Sequence, residues 1–305
     1  MDSITLAILP VFITILMGYG CKRLKFPSEA FWESSERFIY FFLLPCLFFE
    51  TTATSDIRSG NILTVPLMAG GAIVIISAAL IALRPILSKN GPSFTSVFQG
   101  VIRFNSYIGL ALVGPLFGAE GLVIMAVSIG LLVPLINVLS VLVLSIYGSQ
   151  KTIHWKTIGY RIITNPLVLS SGGGLLFNFL GLELPRLSQD IFKIVGQAAL
   201  PMGLLTVGAG LRLAELKHAG HLVAFASIGK LLALPLLGHA LCTWFGVEGP
   251  AYTITLLFCA LPSATSSYIL ARQMGGNKEL MAAIIAVETL ASAFTIPLVI
   301  VLLSI

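Results

Sequence analysis

The chain has 305 residues, 57% apolar and only 10% charged, with a mean hydropathy of +0.98 and a formal net charge of +5. An ordinary soluble domain carries roughly 25% charge, so the composition sets aside a soluble globular protein. No basic and aromatic patch accompanies the positive charge, and nucleic acid is not an expected partner.

Apolar stretches of about 20 residues, enough to cross a bilayer, recur in chain order. They lie at about 3–21, 36–54, 61–83, 94–117, 120–147, 157–180, 189–211, 219–244, 250–272 and 280–304. Spans this long exclude a β-barrel, whose segments are shorter and alternate. The first is too long, and lacks the cleavage site, for a removable signal peptide. Cys21, Cys46, Cys242 and Cys259 sit in or beside these spans without any CxxC pairing. They read as small apolar core residues, so neither a metal site nor a disulfide framework is expected.

The Lys and Arg distribution sets an orientation. With the N-terminus outside, one set of loops holds Lys22, Arg23, Lys25 and Arg37, then Arg84 and Lys89, then Lys151, Lys156 and Arg161. The same side holds Arg212, Lys217, Arg272 and Lys278, while the opposite side holds only Arg58, Arg186 and Lys193. Cytoplasmic loops carry the excess of Lys and Arg. Both termini are therefore expected outside the cytoplasm, in contact with membrane lipid along every span.

Ten spans divide into two sets of five, which predicts an all-α integral membrane protein of two inverted repeats, 1–152 and 153–305. An odd number of spans per repeat turns the second copy upside down. Short signatures support the duplication. Gly91-Pro92 with Phe94-Thr95 returns 158 residues later as Gly249-Pro250 with Tyr252-Thr253. Pro27 and Pro185, Gly118 and Gly276, and Leu122 and Leu280 keep the same offset. Inverted repeats of this kind mark secondary transporters, with the substrate site between the copies.

Spans 4 and 9 are the least helix-like. In span 9, Pro262 removes a backbone donor and is followed by Ser263, Thr265, Ser266 and Ser267. At the equivalent place span 4 has Phe104-Asn105-Ser106-Tyr107. Both breaks fall near mid-membrane. Lipid satisfies no freed backbone group, so each break must face protein or a water-filled cavity. Half-helix N-termini there present N–H groups and a positive dipole end, which suit a carboxylate. The expected substrate-binding residues are Asn105, Ser106, Tyr107, Pro262, Ser263, Thr265, Ser266 and Ser267.

The stretches Arg103-Phe104-Asn105-Ser106-Tyr107-Ile108-Gly109-Leu110 and Leu261-Pro262-Ser263-Ala264-Thr265-Ser266-Ser267-Tyr268-Ile269-Leu270-Ala271-Arg272 resemble those of the auxin efflux carrier family. The likeness is to its bacterial permease branch, related in fold to sodium–bile-acid symporters, and covers essentially the whole chain. It implies scaffold helices 1, 2, 6 and 7 and transport helices 3–5 and 8–10. It also implies substrate at the crossing of helices 4 and 9, elevator-like movement and homodimers through the scaffold. Plant members often have Pro where Phe104 stands, and many carry a long central loop that is absent here. The resemblance thus points away from auxin and toward small organic anions such as malonate or malate, in a bacterial inner membrane.

Ionisable groups inside a membrane cost about 2.5–3.5 kcal/mol on insertion scales and usually have a partner or a task. Lys230 in span 8 is expected to place a positive charge near the site, and Glu288 in span 10 to couple transport to protons. A Lys230–Glu288 pair that only joins helices is the alternative. Arg103, beside the first break, reads as bonding freed carbonyls as readily as attracting an anion. Asn137 in span 5 is a further candidate for the site. Break carbonyls, Asn105, Ser106, Thr265 and Glu288 leave sodium coupling open; no resident cofactor or metal is expected.

The expectation is therefore a secondary active efflux carrier of small organic anions, not an enzyme. No Walker A sequence is present, and His154, His218, His221 and His239 form no paired catalytic motif. A ligand-binding membrane receptor or scaffold is the rival from another class; the short inner loops count against it. A channel is disfavoured because no selectivity-filter repeat appears.

Overall fold

The computed structural model describes residues 2–54, 62–149, 160, 163–218 and 220–303. The proposed repeat boundary at 152/153, His154 and Arg58 lie outside the described residues. Among those described, the chain is helical and contains no strand.

Helix α1 spans Asp2–Arg23 and α2 Glu29–Phe38. A π-helical turn, Ile39–Leu43, joins α2 to α3, Leu44–Ala53. Helix α4 is Thr64–Leu87, α5 Gly91–Ile102 and α6 Ser106–Tyr147. Helices α7, Pro166–Phe179, α8, Arg186–Gln197, and α9, Ala199–Gly210, follow. Helix α10, His221–Ile228, passes through a second π-helical turn, Gly229–Ala233, into α11, Leu234–Trp244. The chain then forms α12, Gly249–Ala260, α13, Ser266–Met274, and α14, Lys278–Leu303.

Local chemistry sets several boundaries. Asn90 and Asn165 cap α5 and α7 through their side-chain oxygens, and Pro92 and Pro166 occupy the first turns. Asn at the cap and Pro just inside satisfy or remove donors that a helix start leaves free. Both π-helical turns stand directly before a Leu-Pro pair, Leu44-Pro45 and Leu234-Pro235. Proline has no N–H for the preceding turn, and a widened turn accommodates that loss.

Among the described residues, five stretches are long and apolar enough to cross a bilayer: Thr64–Leu87, Gly91–Tyr147, Arg186–Gly210, His221–Trp244 and Lys278–Leu303. Pro166–Phe179 and Gly249–Ala260 are shorter apolar helices. Ten separate spans do not emerge as ten continuous helices, for physical reasons. Within α6, Gly118 is non-helical at φ +63° and ψ −152° and divides it into two helices, so spans 4 and 5 stay distinct there; glycine adopts this conformation without a Cβ clash. Span 9 is cut by its break into α12 and α13. Helices α5 and α12 are each 12 residues long, and they start at the two Gly-Pro signatures.

Packing follows two sets of helices. Helix α1 packs along α9, and α3 packs on α7 and α8. Helix α4 packs on α5, α6, α11 and α12, while α14 packs on α5, α10, α12 and α13. Helix α6 touches both sets through α1, α3, α7 and α9. The α1–α9 contact is close because glycines meet backbone: Gly208 faces the Ile15 carbonyl, and Gly18 faces that of Leu205. Small residues let membrane helices approach this closely.

A Gly208→Leu substitution forces these backbones apart, and overpacking of this kind costs about 1–3 kcal/mol. The thermal unfolding midpoint in detergent should fall by several degrees; an unchanged midpoint would contradict the close crossing.

Candidate functional site

The chain leaves helical geometry at two places that cross. After α5, Arg103 and Asn105 take extended backbone angles, with ψ 153° and 104°. After α12, Leu261 does the same with ψ 138°, and helix resumes only at Ser266. The Asn105 amide donates to the Pro262 carbonyl at 2.8 Å. The Phe104 and Phe258 rings pack with centroids 4.3 Å apart. Each break thus answers a backbone group of the other, as an interior without water requires.

The two half-helices that leave the crossing differ at their starts. Asn105 Oδ1 accepts from the amides of Tyr107 and Ile108, capping α6. Helix α13 has no side-chain cap, although Thr265 and Ser266 stand at its start. The α13 terminus is therefore the one whose donors remain uncapped by a side chain.

A cavity of about 370 Å³ lies beside the crossing. Arg103, Asn105, Ser106 and Tyr107 line it from the first break, and Ala264, Thr265 and Ser266 from the second. Asn137 of α6 joins them, and α2 with its π turn supplies a facing wall that includes Glu36 and Tyr40. The cavity shares Glu33, Glu36, Thr265 and Ile269 with a larger cleft of about 430 Å³. Lys22, Arg23, Arg212 and Arg272 stand around that cleft, so the cavity is continuous with the Lys- and Arg-rich end of the molecule. Another cavity, lined by Glu50, Thr54, Glu120 and Lys193 among others, shares no lining residue with either.

Six of the residues singled out from sequence, Asn105, Ser106, Tyr107, Asn137, Thr265 and Ser266, therefore meet at one cavity. Pro262, Ser263, Ser267, Lys230 and Glu288 do not line it. Pro262 supplies the crossing carbonyl. Ser263 and Ser267 are fully buried, and Ser267 Oγ has no hydrogen-bond partner. Lys230 is 1% exposed in the second π turn, which packs on α5, α12 and α14. Glu288 of α14 is completely buried, and no ion pair joins it to Lys230 within 4.0 Å among the described residues.

Glu288 instead bonds the second break. The Ser263 amide donates to Oε2 at 2.9 Å. Ser263 Oγ lies 2.5 Å from the same oxygen and 2.7 Å from the Gly100 carbonyl. One hydroxyl carries one hydrogen, so it serves one of these contacts. Both become hydrogen bonds only when the carboxyl holds a proton, donates it to Ser263 Oγ, and the hydroxyl donates to Gly100. The carboxyl thus ties α14 to α5 through the break, and that tie depends on a proton.

Sequence reasoning did not single out Tyr40 or Glu36, which belong to the opposite wall. It placed the site's positive charge on Lys230, whereas the cations that line the cavity are Arg37 of α2 and Arg103 beside the crossing. No cluster suited to a metal ion occurs among the described residues.

A family model described as "Membrane transport protein" matches residues 3–300. A Rhizobium meliloti protein described as "Putative malonate transporter" is 27% identical over 312 residues, covering 97% of this chain and 94% of its own length. A Methanothermobacter thermautotrophicus protein described as "Uncharacterized transporter" is 24% identical over 307 residues, covering 96% of each chain.

Asn105→Ala removes the cap of α6 and should lower stability by about 0.5–2 kcal/mol. Asn105→Asp retains the capping oxygen and should stay within a few tenths of a kcal/mol. Equal thermal midpoints for the alanine variant and the parent would show that the cap contributes nothing.

Proposed function

The chain belongs to the membrane transport protein family, that of the auxin efflux carriers, and from that premise we propose that it is a secondary active transporter exporting small organic anions such as malonate or malate. The observation that carries this reading is the cavity at the crossed breaks. It combines a cation, neutral hydrogen-bonding side chains and an uncapped helix N-terminus, where substrate carboxylate is favoured. The malonate in the name of the Rhizobium relative fits the same substrate class.

In this reading residues 1–152 and 153–305 are inverted five-helix repeats, ten membrane passages in all. Helices α1 to α3 and α7 to α9 act as the scaffold, and α4 to α6 with α10 to α14 as the moving part. The two packing sets, which meet largely through α6, support that division. Substrate rides with the crossing in an elevator-like movement. The cleft ringed by Lys22, Arg23, Arg212 and Arg272 opens to the cytoplasm by the positive-inside rule, leaving both termini outside a bacterial inner membrane. Homodimers form through the scaffold.

Glu288 is the coupling group. Its carboxyl closes the hydrogen-bond chain through Ser263 to Gly100 when protonated and breaks it when ionised. Proton binding therefore changes how α14 holds the crossing, which can link a proton to each cycle. Ser263 and Ser267 act in this support of the break, behind the cavity that receives the substrate.

Counterflow of labelled malonate and malate in proteoliposomes tests the function. Saturable exchange is expected, and a fall of about tenfold or more in apparent affinity with Asn105→Ala. Binding without exchange across a wide panel of carboxylates would instead make the protein a receptor. Glu288→Gln tests the coupling, because its amide donates to Ser263 Oγ as a protonated carboxyl does. Exchange should persist while the pH dependence disappears; unaltered pH dependence would remove Glu288 from the coupling.

A further inference from the structure

Arg103 occupies the end of α5, where the first break begins, and is 9% exposed. Its Nη1 donates to Asn137 Oδ1 at 2.9 Å, and its Nη2 to Ser266 Oγ at 3.1 Å. The guanidinium therefore bridges α6 and α13, both neutral partners lying on the cavity wall. Its Nε is buried without any partner. A guanidinium has five N–H donors in a rigid fork, so the two bonds hold it in place and leave donors to spare.

Its charge is also uncompensated. No carboxylate of the described residues stands within 4.0 Å of it. A buried cation without a counterion is costly, and proteins rarely leave one so. Neutral hydrogen bonds orient Arg103 but do not cancel its charge. It lines the cavity at the crossing.

We propose that Arg103 is the residue that recognises the anion: its free donors clamp a substrate carboxylate, which supplies the missing counterion. This rests on the transport reading above and sharpens it to one residue. The uncapped start of α13, at Thr265 and Ser266, lies on the same wall and adds its dipole to the same carboxylate. Bidentate pairing makes the site selective for a planar carboxylate over an isosteric neutral amide. Arg37 also lines the cavity, but from α2 beside Glu33 and Glu36, whereas Arg103 is the cation at the crossing.

The test is binding to the full-length detergent-purified chain by calorimetry, with malonate and its uncharged analogue malonamide as probes. The parent should bind malonate at least tenfold more tightly than malonamide. Arg103→Gln should weaken malonate by about tenfold to a hundredfold and leave malonamide within about threefold, erasing the preference. A merely structural Arg103 would weaken both probes alike, and that result overturns the proposal. If Arg103→Gln does not elute as a folded protein, Arg103→Lys decides. It keeps the charge but loses the fork, so malonate should weaken by about tenfold while remaining preferred over malonamide. Malonate binding equal to the parent in either variant overturns the role of Arg103 and leaves the transporter reading standing. A parent that binds no carboxylate from a broad panel overturns both.

Discussion

The structure hangs on one backbone hydrogen bond between two interrupted helices, from the Asn105 amide to the Pro262 carbonyl. Each break strips its segment of helical partners in a region where lipid offers none. Crossing the two breaks lets one deficit answer the other. The tilted Phe104–Phe258 ring contact and the Ser263 hydroxyl, within reach of both Gly100 and Glu288, close around that point. Once the crossing is fixed, the exits of α6 and α13 are fixed as well. The polar groups of both then come to line a common cavity.

The crossing also separates two kinds of chemistry. On one side lies a cavity with Arg103, Asn105, Asn137 and Ser266. Elsewhere Glu288 reaches into the second break through Ser263, among groups that have no access to that cavity. Four residues, Pro262 to Thr265, thus contribute the crossing carbonyl, the carboxyl contact and part of the cavity wall. In the coupling proposed above, a change in how Glu288 bonds Ser263 reaches the cavity lining within two residues, at Ala264 and Thr265. Coupling over so short a path needs no long chain of contacts, only a peptide segment not locked into a helix.

Much of this was legible in the sequence because its signals are local. Pro262 followed by hydroxyl residues, and Asn105 at the matching place, announce breaks through backbone chemistry that packing does not alter. The Gly-Pro pairs mark the starts of α5 and α12 for the same reason. What escaped depends on helix faces. Lys230 sits in a π-helical turn, where the usual 3.6-residue period no longer tells which way a side chain points. Arg103 stands beyond the last residue of α5, so no periodicity governs it either. Tyr40 and Glu36 were missed because they stand at the start of the span at 36–54, and only packing turns α2 and its π turn into a cavity wall.

The cavity of Arg103 joins the cleft near the start of α2, whereas the one at Glu50 and Lys193 lies near the end of α3 and shares none of its lining. On α3, Leu44 lines the first and Leu47 the second. On the transport reading proposed above, water and ions entering the open cleft carry the electrical potential of that side toward Arg103, and the membrane voltage falls mostly across the apolar layer beyond it rather than along the whole thickness of the protein. A net charge carried through that layer exchanges about 2.3 kcal/mol with the field for each 100 mV, so the sum of guanidinium, anion and any accompanying proton decides whether a cell's voltage drives the passage, opposes it or goes unfelt.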